Sequence, residues 1–354
     1  MHEKRVLKAV ALVCTGLAFA GLALTGCKNT EQTSKYVRYD LVADTAGFGG
    51  ARIDARLLNA WGIAIDASDD FLVGSNHNGD ALWLDGTGAD AGTPVTIPAV
   101  DTTAMGAPAG EVRNTTTDFV VPGTSEAAKM IFVTEDGLVV AWASGAAAVK
   151  VADRSATGAV YKGVAIAEDG SENFIYAANF HGHTVDVFDK NFTYVTSKPF
   201  SDPNIPSNYG PFNIANLDGK LYVTYAVPRS PDFVDDSAGT GVGYIDIYNT
   251  NGTLNKRFVS NGHLNSPWGL ARAPAEFGEF KNTIMVGNFG DGVINAYDDD
   301  GSWLGQLKDA NKAVVVIDGL WGLAFKPTSD PDQLYYTAGP SHEAHGLFGY
   351  LKME

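Results

Sequence analysis

The chain has 354 residues with 45% hydrophobic content, enough for a large core, so a disordered chain is excluded. Its 41 acidic and 25 basic residues give a net charge of −16. That leaves no basic footprint for phosphate, and nucleic acid is not an expected partner.

The first segment in chain order reads as an export signal. Lys4, Arg5 and Lys8 precede an apolar run from Ala9 to Leu24, which falls short of the ~20 residues of a membrane span. The run ends at Leu24-Thr25-Gly26-Cys27, which resembles a bacterial lipobox, with Cys27 as the lipidation site. An ordinary signal peptide with an incidental Cys is the alternative. The only other cysteine is Cys14, inside the segment that would be removed. The expected division is a lipoprotein signal peptide over 1–26, lipidated Cys27 with a polar tether over 27–35, and one domain over 36–354. The expected address is the cell envelope, at the outer membrane, its periplasmic face or the cell surface, with the membrane as a partner through the lipid.

Beyond residue 36 one unit recurs. Trp61-Gly62-Ile63-Ala64, Lys162-Gly163-Val164-Ala165, Phe212-Asn213-Ile214-Ala215, Trp268-Gly269-Leu270-Ala271 and Trp321-Gly322-Leu323-Ala324 each open a short apolar strand. The spacing is about 50–56 residues, with the first step doubled. Second strands follow at Phe71–Ser75, Phe174–Ala178, Leu221–Tyr225, Thr283–Gly287 and Leu334–Thr337. Alternating third strands then run at 81–85, 185–189, 244–248 and 293–297. The doubled step contains a further unit, with strands expected at Asp118–Val121, Met130–Thr134 and Leu138–Ala143. The Ala/Gly/Thr-rich stretch from Ala99 to Thr117 is expected to be a long loop, a lid or an insertion.

Six units of about four short strands specify an all-β, six-bladed β-propeller with antiparallel blades. Two separate β domains are the alternative, but no Pro- or Ser-rich linker interrupts the repeat. The last unit ends one strand short, so the strand at about 36–43 is expected to complete it and close the ring.

The aromatic-Gly-Ile/Leu-Ala openings, with later strands closing in Tyr/Phe-Asp, resemble NHL-repeat and gluconolactonase-like propellers. Leu41-Val42-Ala43-Asp44, Leu57-Leu58-Asn59-Ala60-Trp61-Gly62, Gly339-Pro340 and Gly346-Leu347-Phe348-Gly349 more specifically resemble an uncharacterised family of exported bacterial propellers. Some of its members carry a PEP-CTERM tail, whereas this sequence closes on Lys352-Met353-Glu354. Gluconolactonase-like members place a metal-binding Glu ahead of the first inner strand; here Leu58-Asn59-Ala60 offers no carboxylate.

In a propeller, the loops leading into the inner strands and those between the second and third strands share the channel face. Trp61, Phe212, Trp268 and Trp321, with Asn76, Asn179 and Asn288, are therefore candidate ligand contacts. Blade packing and satisfied turn amides are the competing reading. His181, His342, Glu343 and His345 are candidate ligands for a divalent metal, with exposed loop histidines as the alternative. The acidic runs Asp298-Asp299-Asp300-Gly301 and Asp66-Ala67-Ser68-Asp69-Asp70 read as hairpin turns. Nucleotide and covalent-hydrolase motifs are missing. Two functions stay open: a binding module for a small molecule, glycan or protein, and a metal-assisted hydrolase or lyase.

Overall fold

The computed structural model describes residues 35–354, so the export segment and Cys27 lie outside the described residues. The described residues form six sheets, arranged as the blades of a β-propeller, with three short 3-10 turns as the only helical structure among them. Blade 1 comprises Ala60–Ile65, Phe71–Ser75, Asp80–Leu84 and Val95–Thr96. Blade 2 comprises Pro108–Arg113, Met130–Thr134, Leu138–Trp142 and Val149–Asp153. Blade 3 runs through Tyr161–Asp169, Glu172–Asn179, Thr184–Phe188 and Tyr194–Val195. Blade 4 runs through Gly210–Leu217, Lys220–Ala226, Tyr244–Tyr248 and Leu254–Ser260. Blade 5 contains Pro267–Arg272, Ile284–Asn288, Ile294–Tyr297 and Trp303–Gln306.

Blade 6 takes three strands from the end of the chain, Leu320–Phe325, Gln333–Ala338 and Leu347–Met353, and its fourth, Tyr36–Ala43, from the beginning. The closing pair is antiparallel, in register from Tyr36 opposite Met353 to Ala43 opposite Leu347, with a bulge between Asp40 and Val42. This is the closure that the sequence leads one to expect. A two-residue strand, Arg52–Ile53, adds parallel to it and shields the remaining edge.

Each blade is sandwiched between two others, so the second strands are buried on both faces. That is why Phe71–Ser75, Met130–Thr134 and Ile284–Asn288 are almost uninterruptedly apolar and fully buried, while the outer strand Val149–Asp153 is largely exposed. The core accordingly divides into one apolar cluster per blade interface. Leu72, Met130 and Val140 sit between blades 1 and 2, and Met285, Leu320 and Leu334 between blades 5 and 6. A seventh cluster lies on the axis.

The aromatic-Gly opening has a steric cause. Inner strands converge on the axis, and a Cβ on Gly62 would lie 2.6 Å from the Ala109 carbonyl of the next blade. A Cβ on Gly269 would meet the Trp321 carbonyl at 2.7 Å. Only glycine permits that approach.

Blade 2 departs from the expectation. Its inner strand is Pro108–Arg113, inside the stretch expected to be a loop, and Asp118–Val121 is irregular, with Phe119 at φ 62°. The aromatic is replaced by Ala109, and Glu111 and Arg113 interrupt the apolar run that marks the other inner strands. Gly110 keeps the steric role, since its Cβ would stand 2.6 Å from the Gly163 backbone.

Candidate functional site

The residue preceding the crowded glycine or asparagine in each inner strand reaches the axis. In blade order these are Trp61, Ala109, Lys162, Phe212, Trp268 and Trp321. Trp61 and Trp321 stack face to face at 3.8 Å, and Trp268 stands edge-on to both, at 6.5 and 5.8 Å. Phe180 and Phe212 pack at 4.8 Å, and Phe289 stacks on Trp321 at 3.8 Å. All of these rings are buried except Phe289, which is half-exposed. Trp61, Phe212, Trp268 and Trp321 therefore form a plug across the channel, and the blade-packing reading describes them. Below the plug a channel of about 240 Å³ is lined by Ile63, Val164, Ile214, Leu270 and Leu323 with Glu111 and Asn213.

Above the plug runs a chain of polar contacts that crosses four blades. Trp321 Nε1 donates to Asn59 Oδ1 at 3.0 Å, and Asn59 Nδ2 donates to Asn76 Oδ1 at 3.4 Å. Asn76 Nδ2 donates to Glu135 Oε2 at 2.9 Å, and Glu135 Oε1 accepts from Lys162 Nζ. The Lys162 ammonium is buried and lies 4.7 Å from the centre of the Trp61 ring, a cation–π position.

Beside this chain opens a cleft of about 570 Å³, whose walls include Phe289, Asp235, Asp236, Asp318, His342 and Glu343. That volume suits a small organic molecule. Asp236 and Asp235 come from the long loop after the second strand of blade 4, and Glu343 from the corresponding loop of blade 6. Burial pushes the Glu343 carboxyl up to about 7; the Lys162 charge opposes this, and Glu135, Asp235 and Asp236 add to it. Burial also raises Asp236, eased by the neighbouring Ser266 hydroxyl and by Lys162. Asp236 Oδ2 and Ser266 Oγ are both buried and make no hydrogen bond of good geometry with the described residues.

The other expected site residues separate. Asn76 belongs to the polar chain. Asn179 accepts from Gly182 N at 2.9 Å and donates to Asp186, and Asn288 donates to the His263 carbonyl at 2.9 Å, so both serve turns. His342 and Glu343 line the cleft, whereas His345 Nδ1 pairs with Asp44 at 2.8 Å. The His181 ring lies 6.0 Å from that of Phe233. Among the described residues no three His, Cys, Asp or Glu side chains are grouped to hold a metal ion. Sequence reasoning missed Lys162, Glu135 and Asp236. Lys162 had a signal, because it is the one charged residue at a position that four of the six blades fill with an aromatic.

The architecture thus defines a six-bladed propeller with a plugged channel and an acidic cleft on one face. No protein-family model matches the chain. Over 201 residues it is 40% identical to an uncharacterised protein, L690, of Acanthamoeba polyphaga mimivirus, covering 54% of this chain and 51% of that one. A second mimivirus protein, R648, also uncharacterised, is 39% identical over 197 residues, 54% of this chain and 48% of its own length. The chain spans about half the length of the curated relatives it matches. Among solved structures, a streptogramin B lyase aligns with 91% of this chain and 98% of its own, with a TM-score of 0.51 and 11% identity. A catalytically inactive virginiamycin B lyase from Staphylococcus aureus, with quinupristin, covers 90% and 99% at a TM-score of 0.53 and 10% identity. These likenesses are of fold, and fold does not carry function.

Proposed function

We propose that this chain is a lipid-anchored, extracytoplasmic binding module that takes a ligand in the cleft on its channel face. A small molecule or the end of a glycan fits the cleft better than a broad protein surface would. The observation that carries the reading is the cleft itself: about 570 Å³, with the half-exposed Phe289 ring beside the carboxyls of Asp236 and Glu343. An aromatic surface with a few convergent polar groups is the common form of a small-molecule site.

The test is a thermal-shift screen of small molecules and oligosaccharides on the full chain, repeated on Phe289→Ala and Glu343→Gln. Hits that stabilise the parent chain and lose their effect in both variants are expected. Hits that persist in both variants would move the site elsewhere.

A second reading, a hydrolase or lyase, rests on one observation. A carboxyl at about 7 takes and gives protons near neutral pH, as a general acid or base must. The Staphylococcus aureus neighbour is a virginiamycin B lyase, which makes virginiamycin B and quinupristin the first compounds to assay. Activity with a pH profile that breaks near 7, abolished in Glu343→Gln, would favour this reading over simple binding.

A further inference from the structure

We propose that the cleft selects ligands carrying a protonated amine beside an apolar or aromatic group; this rests on the reading of the cleft as a binding site. Five carboxyls surround it or its polar chain, namely Glu135, Asp235, Asp236, Asp318 and Glu343, against two cations. Both cations are engaged. Lys162 pairs with Glu135, and Arg229 pairs with Asp235 at 2.5 Å. Asp318 accepts from the Ser341 amide at 2.8 Å. Asp236 and Glu343 have no basic partner within ion-pair range among the described residues, and Asp236 is 8% exposed, with the Ser266 hydroxyl beside it but no hydrogen bond of good geometry at its Oδ2. Burying carboxyls without partners is costly, and a cation between them would recover that cost.

The shape separates an organic cation from a metal ion. A metal draws its ligands to about 2–2.6 Å, which demands a tight group of donors. Here the carboxyls line a cleft rather than one point, and no such group exists among the described residues. Phe289, backed by Trp321, supplies an aromatic surface at the same cleft, and an ammonium near such a ring gains a cation–π contribution. An anionic ligand would meet repulsion from the same carboxyls.

The experiment uses three probes of one shape and different charge: phenethylamine, phenethyl alcohol and phenylacetate. Binding to the full chain is read by ligand-observed NMR titration, on the parent chain and on Glu343→Gln, Asp236→Asn and Phe289→Ala. Thermal melting checks that each variant is folded, and Glu343→Gln, at a less buried position, carries the test if Asp236→Asn fails to fold. Phenethylamine alone should bind measurably, and Glu343→Gln should weaken it about tenfold, equivalent to ~1.4 kcal/mol. Equal binding of amine and alcohol, both lost in Phe289→Ala, would overturn the charge selection while leaving the cleft as a binding site. Binding of none of the three would overturn both. Stoichiometric uptake of Ca²⁺ or Mg²⁺ alone, lost in Glu343→Gln, would overturn the amine in favour of a metal.

Discussion

Lys162 stands where four of the other blades place Trp or Phe and blade 2 places Ala109, and its neighbours explain how a buried ammonium is tolerated there. Glu135 accepts its hydrogen bond, the Trp61 face lies 4.7 Å away, and Asn76 holds the second oxygen of Glu135. Glu111 is the opposite case. It replaces the Ile, Val or Leu that follows the crowded glycine or asparagine in the other blades, is 8% exposed, and has no side-chain partner. Its carboxyl is wedged between blades 1 and 2, with Cγ 2.9 Å from where a Gly62 Cβ would stand. Burial raises its pKa well above the usual carboxylate range, with the Gly74 and Ala64 amides opposing. A raised folded-state pKa means that the stability contribution is fully present below the unfolded value of ~4.3 and is lost as pH rises through the folded one. Glu111→Gln removes that ionisation. The variant should melt near the parent temperature at acidic pH and progressively above it as pH rises, in thermal melts across the pH range. Parallel curves would mean that the Glu111 carboxyl does not ionise on unfolding. Glu111→Leu, which restores the residue type of the other blades, should add about 1–3 kcal/mol at neutral pH by removing an unsatisfied buried group.

At the scale of the strand, the sequence was informative where geometry forces the residue type. Inner strands need glycine at the crowded position or, in blade 4, an asparagine whose amide donates to the Trp268 carbonyl of the next blade, so Gly62, Gly163, Gly269 and Gly322 mark four blades, and Asn213 a fifth. Blade 2 was legible from its second and third strands, but its inner strand hid because only Gly110 of that signature survives in Ala109-Gly110-Glu111-Val112, and a glycine alone is not distinctive. The closing strand was legible for a different reason: a unit one strand short at the end and a spare alternating strand at the beginning are complementary. Site residues were less legible, because the cleft is built from loops of different blades, and nothing in local spacing tells Asp236 from an ordinary turn aspartate. The closing strand also carries a stability prediction. Tyr36, Val42 and Ala43 are buried, and Arg38 donates to Asp40 at 2.7 Å, which also takes the Tyr336 hydroxyl. Each large side chain buried there contributes about 1.5–3 kcal/mol, a sizeable part of a domain stability of roughly 5–15 kcal/mol. Val42→Ala should cost about 1–3 kcal/mol in urea denaturation. Deleting residues 36–43 should expose the Leu347–Met353 edge and give aggregation on expression, checked by size-exclusion chromatography. A soluble deletion product with parent-like melting would mean that the ring does not depend on this strand.

For the molecule as a whole, closure at residue 36 bears on how it could be displayed. The closing strand begins at Tyr36, nine residues after Cys27, as the fourth strand of blade 6, inside only the short Arg52–Ile53 strand. A lipid on Cys27 would therefore hold the propeller close to a membrane surface through a short polar tether, and no part of the ring need open to accommodate it. Two or three acyl chains hold firmly, at ~0.8 kcal/mol for each buried CH₂, whereas one is marginal. The sequence is acidic as a whole, with a net charge of −16, so the protein gains nothing from an anionic lipid surface and attachment would rest on the acyl chains alone. Cys27→Ala should accordingly release the protein into the soluble fraction of cells that process lipoproteins, with the melting temperature of the propeller unchanged because Cys27 lies outside its blades. High salt should leave the parent protein on the membrane, as it does not weaken an acyl anchor, while detergent should extract it. Retention of Cys27→Ala on membranes, or release of the parent by salt, would sink the anchor and return the apolar run from Ala9 to Leu24 to the role of an ordinary signal peptide.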